Sequence, residues 1–325
     1  MTPADTLLVG LGALLGFLVG FSVGQGSTCA VTAGKQVVFE GRFRLLAGFL
    51  VASGAAGMVC LPLAWSLGMR AGLPPETAVA GSLVAGAALL AMGALVNDAC
   101  LFGTLARIAL GEVRFLGVPV GLAIGYWAAA ATGIGRAHVT PNLFGHPSPA
   151  GIGLVVVSAL LVLGAFVGLA RAGDRGAPGR WSLRTAMVVL GGSGALLFVL
   201  TPGWTYADAI RRAVQAGTER APMANVAPAL LAGTATLSGA IIAGVIARSF
   251  RLQWPTGPLL GRSVAGGALM AAGAVLVPGG NDNLLLWSVP GASVSGLVAY
   301  VAMTALIIAA LVAQRWMGRR RTGRV

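Results

Sequence analysis

The chain has 325 residues, of which 57% are hydrophobic and only 10% are charged, and its mean hydropathy is +0.87. Soluble domains carry about 25% charged residues, so this composition excludes a soluble domain. The formal net charge of +13 is interpreted as arginine in cytoplasmic loops and not as a nucleic-acid-binding surface.

Nine apolar stretches approach the length of about 20 residues that a membrane-spanning helix needs. In chain order they are 6–24, 44–65, 76–96, 115–134, 151–170, 184–201, 226–247, 262–278 and 290–313. No basic segment precedes the first stretch, so we expect a retained span and not a cleaved signal peptide. The sequence therefore predicts an all-α polytopic membrane protein with about nine transmembrane helices.

Four segments between these spans are too polar to face lipid and too apolar to be simple loops. They are 25–40, 97–110, 202–217 and 279–288. Irregular backbone at membrane depth is tolerated only where it is buried in protein or lines a cavity. We therefore predict four re-entrant elements, each a short loop followed by a half-helix.

The basic residues predict the orientation of the chain. With the N-terminus outside and nine alternating spans, 17 of the 22 lysines and arginines fall on the cytoplasmic side. Cytoplasmic loops carry such an excess, which favours an N-terminus outside and a C-terminus in the cytoplasm. Arg211 and Arg212 fit this least well, because they fall within a predicted re-entrant element.

A hydrophobic segment occurs twice: Val84–Leu95 returns 180 residues later as Val264–Val275. We predict a first repeat at 1–150, a linking span with a cytoplasmic loop at 151–183, and a second repeat at 184–325. Each repeat holds four spans and two re-entrant loops. The single linking span makes the second repeat inverted, so the tips of the loops are expected to meet near the bilayer centre.

The segment after the first span begins Gly24-Gln-Gly-Ser-Thr-Cys-Ala30 and precedes a run compatible with a helix. Glycine permits a sharp turn, and the hydroxyls of Ser27 and Thr28 are expected to cap the half-helix. The free N–H groups and positive dipole end of such a helix attract anions. The segment therefore predicts an anion path along Gln25, Ser27, Thr28 and Cys29.

The second predicted half-helix repeats this design. Asn97 or Asp98 is expected to cap it, and Cys100 follows. Two cysteines at equivalent places in neighbouring units favour a functional pair, Cys29 and Cys100. The alternative is that each is a small buried apolar residue, as we expect for Cys60, and that Asp98 only caps a helix.

The counterpart of this loop in the second repeat carries no cysteine, because ungapped alignment places Gly280 opposite Cys100. Proline and two glycines break the helix there and free N–H groups that need partners in hydrocarbon. We expect these groups, with the side chains beside them, to line the path and replace a thiol. The residues are Gly279, Gly280, Asn281 and Asp282. The alternative is that the asparagine and the aspartate only cap a half-helix.

Lys35 and Arg107 are expected to attract an anion at the inner mouth, unless they serve only the charge bias of cytoplasmic loops. Intramembrane acidic residues are functional by default, so Asp98 and Asp282 are the candidate proton carriers. Two histidines and three cysteines show no metal-ligand spacing, and no ATP-binding motif is present. We therefore predict neither a metal nor a cofactor.

At Gly24–Gly34 and Gly93–Gly103 the sequence resembles the YeeE/YedE family of sulfur-transport membrane proteins, which includes bacterial thiosulfate transporters. The number of spans and the small-residue helices extend the resemblance over nearly the whole chain. It implies an hourglass-shaped protein of the bacterial inner membrane in which thiosulfate passes cysteines near the constriction. Cys29 and Cys100 match two of those cysteines, and a third, in the second half of the thiosulfate transporters, has no match here.

The leading hypothesis is uptake of a small sulfur-containing anion, with thiosulfate first, and no enzymatic activity. A second hypothesis is a sulfur relay, in which Cys29 and Cys100 carry persulfide and pass it to a cytoplasmic acceptor protein. A third is transport of selenium species or another inorganic ion. The expected partners are the anion and the lipid bilayer, and not nucleic acid.

Overall fold

The computed structural model describes residues 3–26, 28–68, 72–134, 139–176, 178–218 and 226–322, with side chains described between 7 and 318. Within these ranges the regular structure is helical except for two short strands. These strands, β1 (Glu76–Thr77) and β2 (Val139–Thr140), pair antiparallel. Nine described helical segments are long and apolar enough to cross a membrane. The predicted all-α polytopic fold is confirmed.

Eight of the long helices match the predicted spans to within five residues, and the last one ends nine residues beyond the predicted end at 313. The long helices are α1 (Pro3–Gly26), α3 (Arg44–Ser66), α4 (Gly81–Asn97), α6 (Gly117–Thr132), α7 (Pro149–Arg171), α8 (Leu183–Leu200), α10 (Val226–Ile246), α11 (Gly257–Leu276) and α13 (Val294–Thr322). The span predicted from residue 76 begins too early, because its first residues form β1. The span predicted from residue 290 also begins too early, because a turn with proline and glycine precedes α13.

Each segment with a predicted re-entrant element holds a short helix. These helices are α2 (Ala30–Lys35), α5 (Leu101–Ile108), α9 (Tyr206–Gly217) and α12 (Asn281–Asn283). The first continues as a π-helical turn over Gln36–Glu40, and the last as one over Leu284–Ser288. Their immersion in the membrane stays a prediction.

The helices pack in matched pairs. α1 lies along α10, and the repeat-equivalent pair, α8 and α3, makes the same contact. Likewise α6 lies along α11, and the repeat-equivalent pair, α13 and α4, makes the same contact. α9 contacts α6 and α10, while α2 contacts α13 and α3. Two equivalent halves would produce such pairs, which supports the predicted repeat. The inverted relation of the halves and their division at 1–150, 151–183 and 184–325 stay predictions.

Glycine lets the paired helices touch backbone to backbone. A Cβ atom at Gly20 of α1 would overlap the carbonyl of Thr236 in α10, and one at Gly239 would overlap the carbonyl of Phe17. In lipid the hydrophobic effect does not hold helices together, so close van der Waals packing has to do so. The α1–α10 contact therefore depends on these positions having no side chain.

Gly20→Ala is expected to lower the free energy of unfolding by roughly 1–3 kcal/mol, because the added methyl group forces the two helices apart. Gly164→Ala is the matched control, since a Cβ atom at Gly164 in α7 would meet nothing within 4 Å. Thermal unfolding of both variants purified in detergent measures the difference. A Gly20→Ala protein as stable as the control would contradict this packing.

Candidate functional site

Two thiols meet where α2 and α5 begin. Cys29 is the N-cap residue of α2, Cys100 is the N-cap residue of α5, and both side chains are buried. The sulfur of Cys100 accepts hydrogen bonds from the backbone N–H groups of Ala30, at 3.3 Å, and Gly103, at 3.4 Å. The Cys29 sulfur lies against Gly103, whose N–H group donates to Cys100, so the two thiols are neighbours. The structure thus brings the two predicted cysteines together.

The predicted capping is wrong for three residues. Thr28 does not cap α2, and its buried hydroxyl has no partner among the described residues. Asn97 and Asp98 do not cap α5: Asp98 ends α4 in a left-handed conformation (φ 64°), which leaves Cys100 as the last extended residue before α5. The prediction for Ser27 lies outside the described residues.

Asn97 packs beneath the first turn of α5. Its amide nitrogen donates to the carbonyl of Ala99, at 2.8 Å, and to the hydroxyl of Thr104, at 3.2 Å. Gly103 lies in the same turn, and a Cβ atom there would overlap the sulfur of Cys29. The missing side chain of Gly103 therefore makes the room that the thiol occupies.

Gly280 is the N-cap residue of α12, the position that the repeat assigns to the counterpart of Cys100. The backbone angles agree: φ −77° and ψ −177° at Cys100, φ −71° and ψ 176° at Gly280. A Cβ atom at Gly280 would overlap the side chains of Leu101 and Asp282. The space that a third thiol would need is therefore already filled.

Asn281 joins the α12 loop to α5. Its side-chain oxygen accepts a hydrogen bond from the N–H of Leu101 at 3.0 Å. The hydroxyl of Tyr206, at the start of α9, donates to the carbonyl of the same leucine at 3.1 Å. The N–H of Gly279, expected to face an anion, donates instead to the carbonyl of Val277 at 2.6 Å. No motif in the sequence marked Tyr206.

A second buried polar cluster lies beside α12 and involves α9. One carboxylate oxygen of Asp208 accepts hydrogen bonds from the hydroxyl of Thr205 and the amide nitrogen of Asn283, each at 3.0 Å. Its other oxygen lies 3.0 Å from the guanidinium of Arg211. Asp282, only 2% exposed, accepts a hydrogen bond from the N–H of Asn283. Asp282 is therefore buried beside an ion pair that the sequence did not connect with it.

Three other predicted residues bind groups away from the thiols. The side chain of Gln25 accepts a hydrogen bond from the N–H of Trp181 at 2.9 Å and so holds the segment before α8. Lys35 pairs with Asp98 at 2.6 Å, and Arg107 pairs with Glu112 at 2.8 Å. Both cations expected to attract an anion are therefore neutralised by carboxylates.

Three cavities with charged lining residues lie in or near the segments that hold the short helices. We call them the Arg211 cavity, of about 380 Å³, the Asp98 cavity, of about 350 Å³, and the Arg180 cavity, of about 300 Å³. The Asp98 cavity has two acidic and two basic lining residues: Asp98, Glu112, Arg114 and Arg262. The polar lining of the Arg180 cavity consists of Gln25, Thr32, Gln36, Arg44, Arg175, Arg180 and Trp181. It has three arginines and no acidic residue, a positive surface that the sequence reasoning missed.

Asp174 fixes one of these arginines. Its carboxylate pairs with Arg44 and accepts the N–H groups of Leu183, at 3.2 Å, and Arg184, at 2.9 Å. Burial by itself raises the pKa of Asp174, but these hydrogen bonds and the charge of Arg44 outweigh it and lower the pKa. Asp174 therefore stays ionised at neutral pH, and Arg175 and Arg180 supply the net positive charge of the cavity.

Cys60 lies apart from the two thiols. It is buried in α3 within a small apolar cluster that includes Leu61, Leu73 and Val199. All three cysteines are free. Within the described part of the chain, no group of three or more His, Cys, Asp or Glu side chains could hold a metal ion.

A family model described as sulphur transport matches residues 25–309. The chain belongs to this family. The match covers both cysteine-bearing elements and the Gly280 loop, and it confirms the resemblance to the YeeE/YedE family. No curated protein matches the chain. The chain is thus a multi-pass membrane protein with a role in the transport of sulfur compounds.

Gly103→Ala is expected to lower the free energy of unfolding by roughly 1–3 kcal/mol, because the added methyl group displaces the Cys29 sulfur. Cys29→Ala removes that sulfur, so the double variant should lose less stability than the two single variants together. Denaturant unfolding of the three variants measures this coupling. Strict additivity would place the Cys29 thiol away from Gly103.

Proposed function

We propose that this protein takes up a small sulfur-containing anion, with thiosulfate as the leading candidate, and that the anion passes Cys29 and Cys100. One observation carries the proposal: these two buried thiols meet at the starts of two short helices. Membership of the sulphur transport family supports the substrate class.

The chemistry of the thiols suits such a substrate. Thiosulfate is a dianion with a soft terminal sulfur, and a thiol is a weak S–H donor that contacts this sulfur without the hold of a fixed cation. Conduction requires binding that is weak enough for the substrate to leave. The positive end of the α5 dipole adds attraction without adding a full charge.

The second half contributes an amide where the resemblance leads one to expect a third cysteine. The N–H of Gly279 is engaged by Val277, and the oxygen of Asn281 is engaged by Leu101. We therefore assign the side-chain NH₂ group of Asn281 as the donor of this loop. Lys35 and Asp98 pair with each other and are 42% and 32% exposed, so we place this pair at the inner mouth and not beside the buried thiols.

A sulfur relay is the second candidate, because it too uses two neighbouring buried thiols. In its first step a cysteine thiolate attacks the terminal sulfur of thiosulfate, the S–S bond of thiosulfate breaks, and sulfite leaves with the bonding electron pair. The product is a cysteine persulfide, whose outer sulfur passes to the second thiolate and then to a cytoplasmic acceptor protein. Such a step needs a reactive thiolate.

Intact mass measurement after exposure to thiosulfate separates the two candidates. Transport by S–H donation predicts no change of mass. The relay predicts the addition of one sulfur atom, which disappears in the single variant that lacks the attacking cysteine and in the double variant Cys29→Ser/Cys100→Ser.

Uptake into proteoliposomes tests the path. Cys29→Ser and Cys100→Ser are each expected to lower thiosulfate uptake at least about tenfold, the equivalent of ~1.4 kcal/mol, because a hydroxyl is harder and more strongly hydrated than a thiol. Cys60→Ala is the matched control and should transport at nearly the wild-type rate. Labelled sulfite, sulfate and selenite, assayed in parallel, identify the substrate and test the selenium alternative.

A silent Cys29→Ser together with an inactive Cys60→Ala would contradict the assigned path. Protein content of the vesicles, measured for every variant, separates lost transport from lost folding. Uptake of selenite but not thiosulfate would support the third hypothesis instead.

We also propose that the protein lies in the bacterial inner membrane with the N-terminus outside and the C-terminus in the cytoplasm. The asymmetry of the basic residues supports this orientation. A C-terminal fluorescent protein that folds only in the cytoplasm should be bright, and a C-terminal alkaline phosphatase should be inactive. The opposite pair of results would reverse the orientation.

A further inference from the structure

The Arg211 cavity has one charged lining residue among those that the structure describes, and that residue is an arginine. The cavity is lined by β1, which follows the C-terminal end of α3 in the chain, and by the C-terminal end of α6. Arg44, at the N-terminal end of α3, lines the Arg180 cavity. The two cavities therefore lie toward opposite ends of this spanning helix. The proposed orientation puts the Arg211 cavity outside.

The guanidinium of Arg211 is held by an ion pair, and part of its hydrogen-bonding capacity remains unused. It lies 3.0 Å from a carboxylate oxygen of Asp208, while the arginine side chain remains 36% exposed. Its Nε atom is buried and has no partner among the described residues. The hydroxyl of Thr77, a further lining residue, is likewise buried without a described partner. Donors thus remain for a ligand in this cavity.

The nearby carboxylates do not face the cavity. Asp208 is 3% exposed, Asp282 is 2% exposed, and neither lines it. Arg211 does line it, so the arginine is the member of the ion pair that borders the cavity. The ion pair therefore presents its positive end to a ligand, and the buried carboxylate compensates for the desolvation of the arginine.

Comparison of the two halves shows why Arg211 differs from Lys35. Each lies six residues after the N-cap residue of its short helix, Thr205 for α9 and Cys29 for α2. Lys35 is neutralised by Asp98, the residue that ends α4. The repeat counterpart of Asp98, 180 residues later, is a proline that lines the Arg211 cavity. Arg211 thus has no equivalent of Asp98 and pairs instead with Asp208 of its own helix, which does not line the cavity.

We propose that Arg211 is the capture site for the transported anion in this cavity, and that Asp208 is a positioning residue that holds the guanidinium. This proposal rests on the proposed function, since it assigns a site to the same substrate class. A guanidinium suits a small tetrahedral oxyanion, because its parallel N–H groups can donate to two oxygens at once. The cavity volume falls within the range of small-ligand pockets.

Transport kinetics test the role of Arg211. Arg211→Gln should raise KM for thiosulfate about tenfold or more and leave Vmax nearly unchanged, because capture precedes passage. Arg211→Lys keeps the charge but not the planar group and should rescue KM in part. Arg212→Gln is the matched control: it removes the same charge from the next residue, whose guanidinium donates to the carbonyl of Pro202 and does not line the cavity.

Removing Arg211 alone leaves Asp208 buried without its cation, which threatens folding. The double variant Asp208→Asn/Arg211→Gln removes both charges and should show the same rise in KM. A KM that stays at the wild-type value in this double variant overturns the capture site.

A chemical labelling experiment tests the electrostatic environment of the cavity without measuring transport. Gln215, one helical turn after Arg211, lines the same cavity. The thiol introduced by Gln215→Cys is treated with an anionic thiosulfonate reagent that carries a sulfonate, and with a cationic one that carries a trimethylammonium group. Peptide mass mapping confines the readout to position 215. Adding Arg211→Gln should lower the anionic-to-cationic rate ratio about tenfold, within the range of local electrostatic effects, whereas adding Arg212→Gln should not.

Thiosulfate should slow this labelling in the protein that retains Arg211. A rate ratio that does not respond to Arg211, or protection by alkali cations instead of anions, overturns the proposal. A ratio that depends on Arg211, in a protein that takes up selenite but no thiosulfate, supports the anion site and refutes thiosulfate as the substrate. Failure of the capture site and failure of the proposed function are thereby distinguishable.

Discussion

The arrangement of the short helices follows from one constraint: a helix end buried away from water needs partners for its free backbone groups. Here the partners come from neighbouring elements. The sulfur of Cys100 accepts an N–H from the start of α2 as well as one from α5, and the side chain of Asn281 accepts the N–H of Leu101. The groups that satisfy the backbone are thus the groups proposed to contact the substrate. This dual use explains why the polar residues gather at one place in an otherwise apolar protein.

Glycine residues determine which side chains fit at the starts of the short helices. Gly103 leaves room for the Cys29 sulfur, whereas Gly280 leaves room for the side chains of Leu101 and Asp282. The same residue type therefore has opposite consequences in the two halves. In one half it admits a thiol, and in the other it lets neighbouring side chains occupy the position of a thiol. The site is built asymmetrically on an approximately symmetric packing of helices.

The two halves also differ in how their charged side chains are arranged. Lys35 faces Asp98 across the end of α4, and Arg107 faces Glu112, so the polar residues of the first half largely neutralise one another. Arg211 instead presents a guanidinium to a cavity, with its carboxylate partner buried behind it. Positive groups border two cavities: Arg211, which stays paired with the buried Asp208, lines one, and Arg175 and Arg180 line the other. Sequence position alone pointed to Lys35 and Arg107 instead.

The sequence by itself determined the class of protein, the number of spans and the locations of the short helices, because length, hydropathy and helix-breaking residues act locally along the chain. It also identified Cys29, Cys100 and the equivalence of Gly280 with Cys100, since a repeat preserves spacing. Only the tertiary structure decided which polar groups pair. Capping by Cys100 and not by Asn97 or Asp98, and the neutralisation of Lys35, depend on contacts across as many as about 70 residues of chain. A side chain's partner in three dimensions is not encoded in its neighbours in sequence, so the charges available to an anion emerge only once the helices are packed.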